Sequence, residues 1–110
     1  MDQAIGITVT VTITPGHETD AGRTAEAIAT EAGTIEGVSV THSWDGDAQR
    51  LVLHCHAIDQ ETLDRHLAAH GPLYAGFEEH GPVVGVTVAG PADEATMAAM
   101  LRLSDAAIRI

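Results

Sequence analysis

Four of the seven histidines in this 110-residue chain fall within LHCHAIDQETLDRHLAAHG, the stretch from Leu53 to Gly71 that also carries its one cysteine, Cys55. Imidazole and thiolate are common zinc ligands, and imidazole is the side chain best suited to proton transfer near neutral pH. The stretch therefore admits a metal site, an acid–base pocket, or structural histidines that are only close in sequence. The direction of each side chain decides among them, so the elements that carry the side chains come next.

RLVLHCHA has the period-two alternation of a strand. Leu51, Leu53, Cys55 and Ala57 share one face, and Val52, His54 and His56 the other. A leucine face is expected to pack under helices, which sends His54 and His56 to the opposite side of the sheet. From Asp59, an N-cap candidate, the pattern turns helical, with Leu63, Leu67, His70, Tyr74 and Phe77 on or near one stripe. His66 and His70, spaced i, i+4, lie one above the other beside that stripe and look toward the helix side of the sheet. The cluster thus divides into two pairs on opposite sides of a sheet, and no four-histidine metal site is expected. No HExxH or paired-cysteine motif supplies a further ligand. Gly71-Pro72 is expected to break or kink the helix.

The remaining elements are as legible. IGITVTVTITPG alternates throughout, with Ile5, Ile7, Val9, Val11 and Ile13 on one face and Thr8, Thr10, Thr12 and Thr14 on the other. A helix follows, capped by Thr19 or Asp20, with Ala21, Ala25, Ile28, Ala32 and Ile35 on one stripe and Gly33 or Gly37 at its end. VSVTHSW is a second strand, joined through a DGD turn to RLVLHCHA. On it Val38, Val40, His42 and Trp44 share a face. HGPVVGVTVAGP reads as a fourth strand and ADEATMAAMLRLSD as a short third helix, on which Met97, Met100 and Leu101 pack; AAIRI is a possible edge strand. The expected architecture is α+β, a ferredoxin-like β-α-β-β-α-β unit with an antiparallel sheet. It forms a single domain over 1–110, with a core at 4–90 and a C-terminal appendage at 91–110. His17 and His80 fall in loops and are expected at the solvent, and Cys55 is expected to behave as a small buried hydrophobe.

Composition narrows the function classes. Five arginines, no lysine and sixteen carboxylates give a formal charge of −11, a surface that repels nucleic-acid phosphates and anionic lipid. No nucleic-acid or membrane partner is expected. One cysteine cannot form an intrachain disulfide, no segment has the roughly 20 apolar residues that span a bilayer, and Asp2 stands where a signal peptide would be basic. A cytoplasmic location is the expectation.

ITVTVTITPG leading into a helix, IEGVSVTHSWDGD with its Gly before strand two, and HCHAIDQETLDRHLAAH together resemble the dimeric α/β-barrel proteins of the antibiotic-biosynthesis-monooxygenase or stress-responsive-barrel kind. The resemblance covers roughly residues 4 to 90. It implies a homodimer formed through the sheet faces, which would bring Thr8, Thr10, Thr12, Ser39, Thr41, His54, His56 and Thr87 together, and a small-molecule pocket in each protomer. It also implies cofactor-independent oxygenation, in which an electron-rich aromatic is deprotonated and its carbanion reduces oxygen. No metal or other cofactor is expected.

The chain departs from that oxygenase pattern in having no asparagine, and Ala57 or Ile58 falls where a tryptophan is common. Haem degradation by related barrels needs a strand-one asparagine and a late helix-two histidine, a position that falls near Gly76. Polyketide cyclases of the stress-responsive type are resembled instead through a histidine and a nearby tyrosine, here His70 and Tyr74. The expected catalytic residues are His70, His66 and Tyr74, with Trp44, His42, Phe77, His54 and His56 as substrate contacts. The activity implied is a monooxygenase acting on an aromatic or polyketide-type molecule by histidine-assisted deprotonation. The alternatives are a cyclase or isomerase using a His–Tyr pair, and a non-catalytic ligand-binding dimer.

Overall fold

The structure, a computed structural model, describes residues 3–110; the N-terminal reading at Asp2 lies outside them. In order, the elements are β1 (Ile5–Thr12), α1 (Glu18–Ala32), β2 (Val38–Asp45), β3 (Arg50–Ala57), α2 (Gln60–Ala75), a 3-10 turn (Gly76–Glu79), β4 (Val83–Ala89), α3 (Glu94–Leu103) and β5 (Ala107–Arg109). The sheet order is β2-β3-β1-β4-β5. The first four strands pair antiparallel in the ferredoxin-like arrangement. β5 runs parallel to β4, so the sheet is mixed and not wholly antiparallel. The connection explains the difference: α3 carries the chain back along the sheet, and a strand returning through a helix enters in the same direction.

The β-branched alternation of β1 places Ile5, Ile7, Val9, Val11 and Ile13 in the core, none more than 4 % exposed. They meet Leu51, Leu53, Cys55 and Ala57 of β3 and Val38 and Val40 of β2, all buried. Helices cover this one face. α1 buries Ala21, Ala25, Ile28 and Ala32, and these small side chains let the helix axis lie close to the strands. α2 buries Thr62, Leu63, His66 and Tyr74. The opposite face carries Thr8, Thr10 and Thr12 half-exposed, with His54 and His56 exposed.

Both ends of β4 depend on glycine. Gly81 and Gly90 have φ of +153° and +94°, and a Cβ at either would lie 1.8 Å from the Thr12 carbonyl oxygen or 2.2 Å from that of Ala4. Only a residue without a side chain lets β1 pass so near. Between them a register shift after Thr10 leaves Val84 outside the ladder and exposed.

Three local expectations are corrected. The N-cap of α1 is His17, not Thr19 or Asp20, and it makes no side-chain capping bond; the Glu18 carboxylate instead accepts from the Gly16 N–H at 2.9 Å. α2 runs through Gly71-Pro72 without ending. Burial of Tyr74 and Phe77 beyond the proline holds the last turn helical against the lost Pro72 N–H. His17 and His80 are half-buried rather than at the solvent, because their loops meet: the rings lie 5.8 Å apart, and His80 Nε2 is 3.2 Å from Thr24 Oγ1. The Asp59 cap stands, with its carboxylate accepting from the Thr62 N–H at 2.8 Å.

Candidate functional site

Along α2 the residues Leu63, His66, His70, Tyr74 and Phe77 recur at intervals of three and four, the spacing of one helical face. Long helical side chains lean toward the N-terminus, so Tyr74 reaches back beneath His70 toward His66. The outcome is a buried hydrogen bond of 2.8 Å between His66 Nε2 and the Tyr74 hydroxyl. The two rings meet edge-on with centroids 5.7 Å apart, and the His70 ring lies 5.5 Å from that of His66. His66 is wholly buried and Tyr74 nearly so.

Burial sets the electrostatics of His66, Tyr74 and the neighbouring Cys55. It lowers the His66 pKa to about 4, with the neighbouring His70 adding to the effect, because a charged imidazolium would lose its hydration. It also raises the Tyr74 phenol above its ordinary value. The Cys55 thiol is pushed up to about 11 by the same cause, against a hydrogen bond from Tyr74 that favours the thiolate. All three groups are therefore neutral at physiological pH.

Two neutral arrangements satisfy the His66–Tyr74 bond. With the proton on Nδ1, Tyr74 donates to Nε2, and a buried N–H has no partner among the described residues. With the proton on Nε2, His66 donates to the phenol oxygen and leaves Nδ1 as an unpaired acceptor. The Tyr74 proton then points to the Cys55 sulfur, from which a ligand oxygen could take it over. An orphaned buried N–H is the costlier of the two, which favours the second arrangement.

The phenol borders a cavity of about 10 Å³ lined by Ile7, Val9, Cys55, Leu67, Tyr74 and Met100, space for one water at most. Leu67, Tyr74 and Met100 also border a groove of about 260 Å³ between α2 and α3, completed by Gly71, Pro72, Ala99 and Leu103. The side chains lining both are apolar but for Tyr74 and, in the cavity, Cys55, and the cavity presents no polar surface. The groove can hold an apolar molecule beside Tyr74 in a dry setting, where a hydrogen bond to its phenol would be strongest.

The structure thus brings His66, His70 and Tyr74 together. It does not bring the remaining sequence candidates to them. His42 and Trp44 are on the helix side of the sheet but beside α1: His42 Nε2 is 3.2 Å from Glu26 Oε2. Trp44, 46 % exposed, borders a separate surface pocket with Thr19, Ala21, Gly22 and Leu51. Phe77 is fully buried core. His54 and His56 lie on the far face of the sheet, where His54 Nδ1 shares a 3.1 Å hydrogen bond with Thr8 Oγ1. No group of three or more His, Cys, Asp or Glu among the described residues could hold a metal ion. Leu67 stands on the helix-two stripe and Met100 reads as packing in the sequence; that both line the cavity and the groove between α2 and α3 is a long-range fact that periodicity does not encode.

The sequence matches no family profile and no curated protein. Solved structures are similar in fold. MupZ from Pseudomonas fluorescens superposes with a TM-score of 0.78 at 14 % identity, over 98 % of this chain and 88 % of that one. Rv0793 from Mycobacterium tuberculosis gives 0.70 at 23 % identity, over 84 % of this chain and 99 % of its own. A mutant of SnoaB, a cofactor-independent oxygenase from Streptomyces nogalater, gives 0.67 at 13 % identity, over 80 % of this chain and 91 % of that one. With its strand order and helix placement, the chain has the ferredoxin-like fold that these structures share.

Proposed function

We propose that this chain is a small-molecule enzyme of the cofactor-independent monooxygenase-like kind, which deprotonates an aromatic or polyketide-type substrate on the helix side of its sheet. The observation that carries this reading is the buried His66–Tyr74 hydrogen bond of 2.8 Å beside an otherwise apolar cavity. Tyr74 meets the substrate and donates to its oxygen as negative charge develops there, an oxyanion-stabilising role. His66, whose proton affinity burial has lowered, fixes the phenol. His70, behind the lining of cavity and groove with its ring 5.5 Å from that of His66, is the proposed base: its Nε2 has no partner among the described residues. The carbanion so formed passes electrons to dioxygen, one oxygen atom entering the ring carbon and the other leaving as water.

The fold of SnoaB, a cofactor-independent oxygenase, supports the reading. The test is 1,8-dihydroxyanthrone in air, followed by absorbance and an oxygen electrode. The expected result is enzyme-dependent formation of the anthraquinone with one dioxygen consumed and one water released per molecule. Failure of the protein to raise the rate above the buffer reaction would count against it.

The same hydrogen bond favours a second reading, a cyclase or isomerase in which Tyr74 polarises a carbonyl while His70 removes a neighbouring proton. Its probe is heptane-2,6-dione, whose internal aldol condensation gives 3-methylcyclohex-2-enone and water. Turnover of the diketone without turnover of the anthrone would select this reading. Turnover of neither would leave a non-catalytic ligand-binding protein.

We also propose that the protein is a homodimer through the far face of the sheet. Thr8, Thr10, Thr12 and Thr87 lie half-exposed there, beside exposed Ser39, Thr41, His54 and His56. Light scattering during size exclusion is expected to give twice the 11.4 kDa chain mass; a monomer would refute this. No helix among the described residues is long and apolar enough to cross a membrane, and a cytoplasmic location remains our proposal.

A further inference from the structure

The groove and the inner cavity share Leu67 of α2, Met100 of α3 and Tyr74 as lining, and Cys55, which the Tyr74 hydroxyl meets, lines the inner space but not the groove. The inner space, about 10 Å³, is too small for any organic substrate, so a molecule that reaches the Tyr74 hydroxyl from the groove must first displace Leu67 or Met100. α3 is anchored at both ends, since past its C-terminus β5 pairs with β4, but side-chain hydrogen bonds hold only its first turn. Near its N-terminus, Gln60 donates to Thr96 Oγ1 and accepts from the Asp93 N–H, both at 2.8 Å. Arg109 donates to the Ala92 carbonyl at 2.6 Å and faces Glu94 at 3.5 Å. Toward the C-terminus, the α3 residues that border the groove, Ala99, Met100 and Leu103, have only nonpolar side chains, so no side-chain hydrogen bond ties them to α2, and along the groove the two helices meet through nonpolar contact.

The lining also selects by charge. None of the residues around the groove or the cavity is ionisable apart from the neutral Tyr74 and Cys55. An anionic ligand would lose its hydration there without a counter-charge, and the net charge of −11 opposes its approach.

We propose that the Met100 and Leu67 side chains are the gate of this site, moving aside between two anchored helices, and that it passes neutral apolar ligands and excludes anionic ones. This rests on the proposed function for the location of the site, but its test needs no turnover. The probes are N-phenyl-1-naphthylamine and its sulfonated analogue 1-anilinonaphthalene-8-sulfonate, which share a ring system and differ in charge. Stopped-flow fluorescence is expected to show saturable binding of the neutral probe and binding of the sulfonate weaker by about tenfold or more. Met100→Ala opens the gate and is expected to speed association of the neutral probe several-fold. Ala99→Trp, at a half-buried position that can take added bulk, fills the groove and is expected to slow it. Equal affinity for the two probes would overturn the charge selection, and association rates unchanged in both variants would overturn the gate. Absence of neutral-probe binding in the wild type and in Met100→Ala would overturn the whole proposal. Loss of anthrone and diketone turnover with these binding results intact would instead refute the proposed function alone.

Discussion

Replacing Tyr74 with Phe removes one oxygen atom from a buried pair and keeps the ring that packs against Ile7, Val9 and Met100. The volume change is small, so the penalty is that of the orphaned partner. His66 Nε2 is left without its 2.8 Å contact in a ring whose Nδ1 already has none among the described residues. A buried polar group stripped of its partner costs about 1–3 kcal/mol. A chain of this length has an unfolding entropy near Tm of about 230 cal/mol/K, so each kcal/mol moves Tm by about 4 °C. Differential scanning calorimetry near neutral pH is therefore expected to show Tm lowered by about 4–13 °C. The double variant Tyr74→Phe with His66→Leu, which leaves neither group orphaned, is expected to recover part of that loss. An unchanged or higher Tm in the single variant would show that the bond is absent in solution, and the acid–base reading of the site would go with it.

Three further outcomes follow from the same geometry. His66 is folded with its pKa at about 4 against an ordinary 6.5, so the unfolded chain binds its proton first. The neutral form's contribution is fully present above about pH 6.5 and is lost as pH falls toward 4, to a total of about 3 kcal/mol. Urea midpoints through that window would measure it, and a flat profile would contradict it; the Asp59 and Asp93 caps, whose pKa values are lowered, lose their contribution only at lower pH. Cys55, with its thiol pushed up to about 11, is expected to react with a disulfide reagent only when guanidinium unfolds the chain; rapid modification of the native protein would refute its burial. Pro72→Ala restores an N–H inside α2 and is expected to raise stability by about 1–2 kcal/mol, read as a higher Tm; a lower one would mean that the proline is needed for the groove wall.

The succession of elements and the strand faces were legible because the strands pair β-branched alternation with one wetter face, whereas the parallel entry of β5 follows from how α3 packs. Ile5 to Val11 and Leu51 to Ala57 could only turn inward, and His54 and His56 therefore outward. The His66, His70 and Tyr74 stripe was legible for a similar reason, since helical spacing alone puts the three on one side. The continuation of α2 through Pro72 was not, because burial of Tyr74 and Phe77 is a tertiary gain that local propensity does not register. Nor was the meeting of His17 with His80, residues far apart in sequence whose loops the sheet brings to one end. His42 and Trp44 show the limit of face arguments: they share the helix side with the site, yet β2 lies at the sheet edge under α1 and holds them away from it. Leu67 and Met100 carry no motif at all, and only the docking of α3 on α2 relates them.

The central claim is that chemistry sits with the helix-side pair and not with the sheet-face histidines. Turnover of 1,8-dihydroxyanthrone and of heptane-2,6-dione by four proteins, the wild type, Tyr74→Phe, His70→Gln and the double variant His54→Ala with His56→Ala, tests it most directly. For whichever probe the wild type converts, the expected outcome is a loss of about 10²-fold or more in Tyr74→Phe and in His70→Gln, with neutral-probe binding retained, and a rate within about threefold of wild type for the sheet-face variant wherever its oligomeric state is kept. Full activity in Tyr74→Phe and His70→Gln, or its loss in the sheet-face variant alone, would contradict the claim.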